Sequence, residues 1–226
     1  MFVSGGKRYR RAGVWSNGRP AHLRWSKDED FAAFERVLAH ALQTVPIRLF
    51  AYCIMPNHWH LLLCPPRNGQ LAAFMARLTM THTRRWQEHY HQVGYGHLYQ
   101  GRFKSFPVEE DVHFLAVARY IERNPLRAKL VEKAADWRWS SLFRRLSPKE
   151  TTAAAEIALA PWPVERPADW TRRIQTPQSE KELSALRTSV NKGRPFGDAT
   201  WQAATTRTLR LESSHRNAGR PRKGAK

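Results

Sequence analysis

Tyr52-Cys53-Ile54-Met55-Pro56-Asn57-His58-Trp59-His60-Leu61-Leu62-Leu63 is the stretch whose reading decides the fold. Apolar residues run from Ile47 to Ile54 and again from Trp59 to Leu63. Between them Pro56 fixes φ and Asn57 tolerates a turn, so the spacing predicts a β-hairpin. If the second strand starts near His58, its period of two sends His58, His60 and Leu62 to one face and Trp59, Leu61 and Leu63 to the other. Two imidazoles side by side on a rigid strand can give a divalent cation two nitrogen ligands. The same pattern suits a pair of solvated or hydrogen-bonded histidines, and the motif alone leaves both open.

The chain has 226 residues, enough for one good-sized core and a small second unit. Lys and Arg number 38 against 19 Asp and Glu, a net charge of +19. That balance points to a polyanionic partner, nucleic acid first and an anionic membrane surface second. Hydrophobic residues at 42% and aromatics at 11% still supply a core, which excludes a disordered basic tail. No apolar run reaches the roughly 18 residues that span a bilayer. Met1 to Arg11 is basic and lacks the apolar centre of a secretory signal, so a cytoplasmic, nucleoid-associated protein is expected. Cys53 and Cys64 fall one in each hairpin strand and read as buried thiols, which leaves no cysteine-rich zinc site.

Residues 1–25, rich in Arg, Gly and Trp, show no clean period, and no strand is expected there. Ser26-Lys27-Asp28-Glu29 has the form of a capping box, and Phe31, Phe34, Leu38 and Leu42 make the apolar stripe of a helix ending before Pro46. A second helix carries Leu71, Phe74, Met75, Leu78 and Trp86 to about Tyr90, with Arg77, Arg84 and Arg85 on another face as candidates for phosphate contact. From Gly94 to Lys104 aromatics, glycines and cations interleave, so Tyr99, Arg102 and Lys104 are candidates to grip unpaired bases and phosphates. Phe103 to Val108 reads as a strand, and Asp111 caps a third helix with Phe114, Val117 and Ile121 inward and a stop near Asn124. Tyr120 and Asn124, spaced i, i+4, project together beside Arg123 and Arg127, which makes the phenol a candidate nucleophile. An ordinary core-edge tyrosine fits the same spacing. Trp137, Trp139 and Ser140-Ser141 read as the closing anchor of a domain over residues 1–146, and a mostly helical extension over 147–226 ends in a basic tail. Its Gly-Arg-Pro core, with Arg220, Arg222 and Lys223, suits an A·T-rich minor groove.

Four segments in order, Tyr52 to His60, Gly96 to Lys104, Arg119 to Ala128 and Asp136 to Ser141, resemble the signatures of the REP-associated tyrosine transposases. These belong to the single-tyrosine HUH superfamily, and the resemblance covers roughly residues 27–145, with the Gly193 to Asp198 segment also similar. It implies an α+β, ferredoxin-like domain, an antiparallel sheet with helices packed on one face and His58 and His60 on a central strand. It implies Tyr120 as nucleophile and His58, His60 and Asn124 as ligands of Mg²⁺ or Mn²⁺, although imidazoles alone would also accept zinc. The implied substrate is single-stranded DNA with hairpins, cleaved and rejoined through a 5′-phosphotyrosine by a monomer or homodimer. A tyrosine hydroxyl ionises near pH ~10 and is a weak nucleophile at neutral pH, so a cation beside the phosphate solves part of the chemistry. The alternatives are a non-catalytic hairpin DNA- or RNA-binding protein of the same fold and a metal-dependent hydrolase using water.

Overall fold

The structure, a computed structural model, describes residues 12–16, 25–94, 96–99, 103–147 and 157–215. Its sheet has four strands, β1 (Ala12–Ser16), β2 (Arg48–Met55), β3 (His58–Cys64) and β4 (Pro107–Val108). They run in the order β2-β3-β1-β4, every neighbouring pair antiparallel. With α1 (Asp28–Thr44) between β1 and β2, and α2 (Gln70–His89) between β3 and β4, this is the split βαβ plan of a ferredoxin-like fold. β1 corrects the sequence expectation, because a strand does form within residues 1–25. It pairs Ser16 with His60 and Gly13 with Leu63, so β3 lies inside the sheet. The expected strand at 103–108 is shorter, and Pro107, which cannot donate to a ladder, sits on the outer strand.

The hairpin follows the period of two. Trp59, Leu61 and Leu63 are fully buried among α1 and α2, while Leu62 and Cys64 point into a second core on the opposite face. A register shift between Leu49 and Ala51 puts Phe50 and Ala51 on the same side of β2. Burying each such side chain stabilises by about 1.5–3 kcal/mol, which fixes the register that aligns the histidines. The helix cap is one residue later than expected. α1 starts at Asp28, and the acid that reaches back is Asp30, whose carboxylate accepts from the backbone N–H groups of Ser26 and Lys27.

The second face is covered by α3 (Val112–Glu122), followed by α4 (Asn124–Arg127), α5 (Ser141–Leu146), α6 (Trp170–Gln175), α7 (Glu180–Lys192) and α8 (Ala199–Leu209). Trp170, Ile174, Leu183 and Leu186 share the core of Phe114, Val117 and Ile121, so the C-terminal extension packs onto the sheet side of the tyrosine helix. Trp139 stacks on Phe31 at 5.2 Å, and its carbonyl accepts from Ile54 N–H at 2.9 Å, which shields the outer edge of β2. Asp111 caps α3 through a 2.7 Å bond from His113 N–H. Asp111→Ala is expected to lower stability by about 1 kcal/mol, read as a melting temperature roughly 2–4 °C lower.

Candidate active site

On β3 the rings of His58 and His60 are perpendicular neighbours, their centroids 4.9 Å apart. The last turn of α3 brings the Tyr120 ring to 5.8 Å from that of His60. Tyr120 and Asn124 do not share one helix, as their spacing had suggested. α3 ends at Glu122, and Asn124 opens α4 with Pro125 next to it, where a missing N–H would break a continuing helix. Arg127, at the other end of α4, joins the parts. Its guanidinium carbon lies 4.3 Å from the centroid of the Tyr120 ring, and its Nη2 donates to Asn124 Oδ1 at 2.5 Å.

His60, Tyr120 and Asn124 are 3%, 8% and 2% exposed, whereas His58 is half-buried, so the cluster opens to solvent along one side. Burial pushes the His60 imidazole well below its ordinary pKa, and the charges of His58 and Arg127 push the same way. At neutral pH the ring is therefore uncharged, the form that offers a nitrogen lone pair to a cation. Neither ring nitrogen of His60 has a hydrogen-bond partner, nor does Asn124 Nδ2. Buried polar atoms are seldom left so, and a cation held at His60 would satisfy one nitrogen. Asn57 Oδ1 lies 2.6 Å from His58 Nδ1, a contact that orients the His58 ring. Asn124 Oδ1 has two lone pairs, so the bond from Arg127 leaves acceptor capacity. Two imidazoles and an amide oxygen are a donor set of the chemical type that divalent cations accept.

Glu109, Asp111 and His113 also bring donor atoms within 4.8 Å of one another. Their roles are already structural, since Asp111 caps α3, Glu109 accepts from Asp198 N–H and His113 faces both acids.

The candidate DNA contacts scatter. Arg77 reaches His40, exposed Arg84 pairs with Glu88, and Arg85 is exposed on the same helix. Tyr99 is half-buried with its hydroxyl 2.6 Å from His82 Nδ1, so it is held against the core instead of standing out as a stacking ring. Lys104 donates to Asn191. Arg102, Arg220, Arg222 and Lys223 lie outside the described residues. Half-buried Arg123 donates to the carbonyls of Ile174 and Gln175. Arg119, which the sequence does not single out, does the same with Thr176 and Pro177. The spacing of Arg119, Arg123 and Arg127 around Tyr120 is the signal that marks them as a set. A groove of about 540 Å³ lies between α2 and residues Val93, His97, Leu98 and Tyr99, lined in part by Arg84. Another of about 700 Å³ lies between α3 and α7, and neither includes the histidine pair or Tyr120.

Residues 22–124 match the family model described as IS200-like transposase. A REP-associated tyrosine transposase of Haemophilus influenzae is 28% identical over 122 residues, 49% of this chain and 68% of that protein. A solved REP-associated tyrosine transposase, bound to a REP hairpin, is similar in fold with a TM-score of 0.52 at 15% identity. That likeness covers 70% of this chain and all of the solved one. Among the described residues no helix is long and apolar enough to cross a membrane.

Proposed function

We propose that the protein cleaves and rejoins single-stranded DNA at hairpin, REP-like elements, a reading supported by the match of residues 22–124 to the IS200-like transposase model and by the similarity to a REP-associated tyrosine transposase. Tyr120 is the nucleophile. Its phenol oxygen attacks the scissile phosphorus and gives its proton to solvent, the P–O3′ bond breaks, and the departing 3′-oxygen takes a proton from solvent to leave as a hydroxyl. The 5′-phosphate stays on the tyrosine, and because the ester bond is conserved a 3′-hydroxyl can later reverse the step without ATP. His58, His60 and Asn124 would hold Mg²⁺ or Mn²⁺, which when bound polarises the phosphate. The protein's own part is to fix the phenol beside that position and to keep His60 neutral.

The observation that carries the reading is the convergence of the Tyr120 ring on His60, with Arg127 tying the same ring to Asn124. Side chains from β3, α3 and α4 meet there, and core packing alone requires neither the paired imidazoles nor the orphaned nitrogens of His60. β1 completes the sheet behind the histidines, pairing Ser16 with His60. The +19 charge favours salt-sensitive binding of a polyanion.

The test is incubation of the full chain with a panel of hairpin oligonucleotides and Mg²⁺ or Mn²⁺. A covalent protein–DNA adduct resistant to denaturation is expected, and chelation of the cation should abolish it. Tight hairpin binding without any adduct across the panel would instead make the protein a binding module.

A further inference from the structure

We propose that Arg127 is a second catalytic residue, which contacts the phosphate that Tyr120 attacks; this rests on the strand-transfer reading above. Three arginines surround Tyr120, and the fold treats them differently. Arg119 donates to Thr176 and Pro177 carbonyls at 2.6 and 3.1 Å, and Arg123 donates to those of Ile174 and Gln175 at 2.6 and 2.5 Å. These oxygens belong to the end of α6 and the turn after it, where unpaired carbonyls and the helix dipole favour cations. Both guanidinium groups thereby brace the tyrosine helix against the C-terminal extension, and these donors are engaged by carbonyl oxygens.

Arg127 has no such carbonyl partner among its described bonds. Its donor goes to Asn124 Oδ1, its plane approaches the Tyr120 ring, and the residue as a whole is exposed. A guanidinium has five N–H donors in a planar fork that matches two phosphate oxygens. One donor can stay on Asn124 while others meet the substrate. As the Tyr120 O–P bond forms and the P–O3′ bond breaks, charge on the non-bridging oxygens is spread over the transferring group, and a fixed cation there lowers the barrier. In the reverse step the same cation stabilises the departing phenolate. Arg127 also holds Asn124 Oδ1 in one orientation, so a single side chain positions both the nucleophile and the amide.

The experiment compares adduct formation by the unaltered protein, Arg127→Ala and Arg127→Lys on one hairpin oligonucleotide, alongside hairpin affinity and melting temperature. Arg127→Ala is expected to slow adduct formation by about 100-fold or more, with hairpin affinity within about 3-fold, since one phosphate contact among many is lost. Added guanidinium should recover part of the rate, a result that a merely structural role would not produce. Arg127→Lys, a point charge without the fork, should fall between the two, and it decides the matter if Arg127→Ala does not fold. An adduct formed at the unaltered rate by the variant that folds overturns the inference alone. No adduct from the unaltered protein defeats the strand-transfer reading and this inference with it.

Discussion

In Tyr120→Phe the covalent adduct disappears, while the hairpin is still bound with affinity within about 2-fold of the unaltered protein. The substitution removes one oxygen and keeps the ring. The edge-on contact with His60 and the guanidinium above the ring both use the aromatic body, so the cluster should hold its shape. Stability is expected to change by no more than about 0.5 kcal/mol. Strand cleavage should fall by roughly 10³-fold or more, as when a nucleophile is removed from a unit whose other parts remain. Denaturing gel electrophoresis of labelled oligonucleotide reads adduct and cleavage together. Cleavage that survives without the hydroxyl would mean that water is the nucleophile, and the reading would move to a hydrolase built on His58 and His60.

The hairpin was legible because its two signals agree. Pro56-Asn57 marks the turn, and the alternation from His58 to Leu63 assigns faces that burial then reproduces. β1 was not legible. Ala12 and Gly13 have poor strand propensity, and the strand exists by pairing with β3, far along the chain. A five-residue segment whose partner is remote carries its structure in tertiary context. The capping of α1 slipped by one because Asp30 competes with Glu29 for the same backbone donors, and the sequence alone does not choose between adjacent acids.

At the candidate site the types were readable and the commitments were not. The i, i+4 spacing of Tyr120 and Asn124 is real, but Pro125 divides their helix, and the two are joined through Arg127 instead of along one helical face. Arg123 looks in sequence like a phosphate ligand beside a tyrosine. It is used internally because the end of α6 brings carbonyl oxygens to it from 51 and 52 residues away. Tyr99 similarly reads as a stacking ring until His82, buried among Trp25, Phe34 and Trp86, takes its hydroxyl. Charge and ring count can be read from composition; which donors remain available depends on packing.

Glu35→Ala is expected to cost about 3–5 kcal/mol, because it removes the anion from a buried ion pair and leaves its partners stranded. Glu35 on α1 accepts from the Tyr52 hydroxyl at 2.5 Å and from Arg144 Nη2 at 3.2 Å, and Arg144 Nε donates to the same Tyr52 oxygen at 3.0 Å. Side-chain exposure of the pair is 6% for Glu35 and 12% for Arg144, so water cannot replace the lost acceptor. The three residues tie α1 and α5 to β2, the strand paired with the histidine strand, and the melting temperature should fall by roughly 6–20 °C. Glu35→Gln separates charge from hydrogen bonding. Burial pushes the Glu35 carboxyl above its ordinary range, and the Tyr52 bond and Arg144 charge only partly oppose it. A carboxyl with a raised folded-state pKa holds its proton more tightly in the folded protein than in the unfolded chain. Its stabilising contribution is therefore full below the ordinary carboxyl range, near pH ~4.3, and is lost as pH rises through the raised folded value. Thermal melts from acid to neutral pH should show Glu35→Gln gaining stability relative to the unaltered protein across that window. The comparison isolates Glu35, because burial raises Glu122 in the same direction and lowers His60 and His82, whose contributions run the opposite way, alike in both proteins. Equal pH profiles for the two proteins would show that Glu35 is ionised at no extra cost, with Arg144 compensating its burial in full.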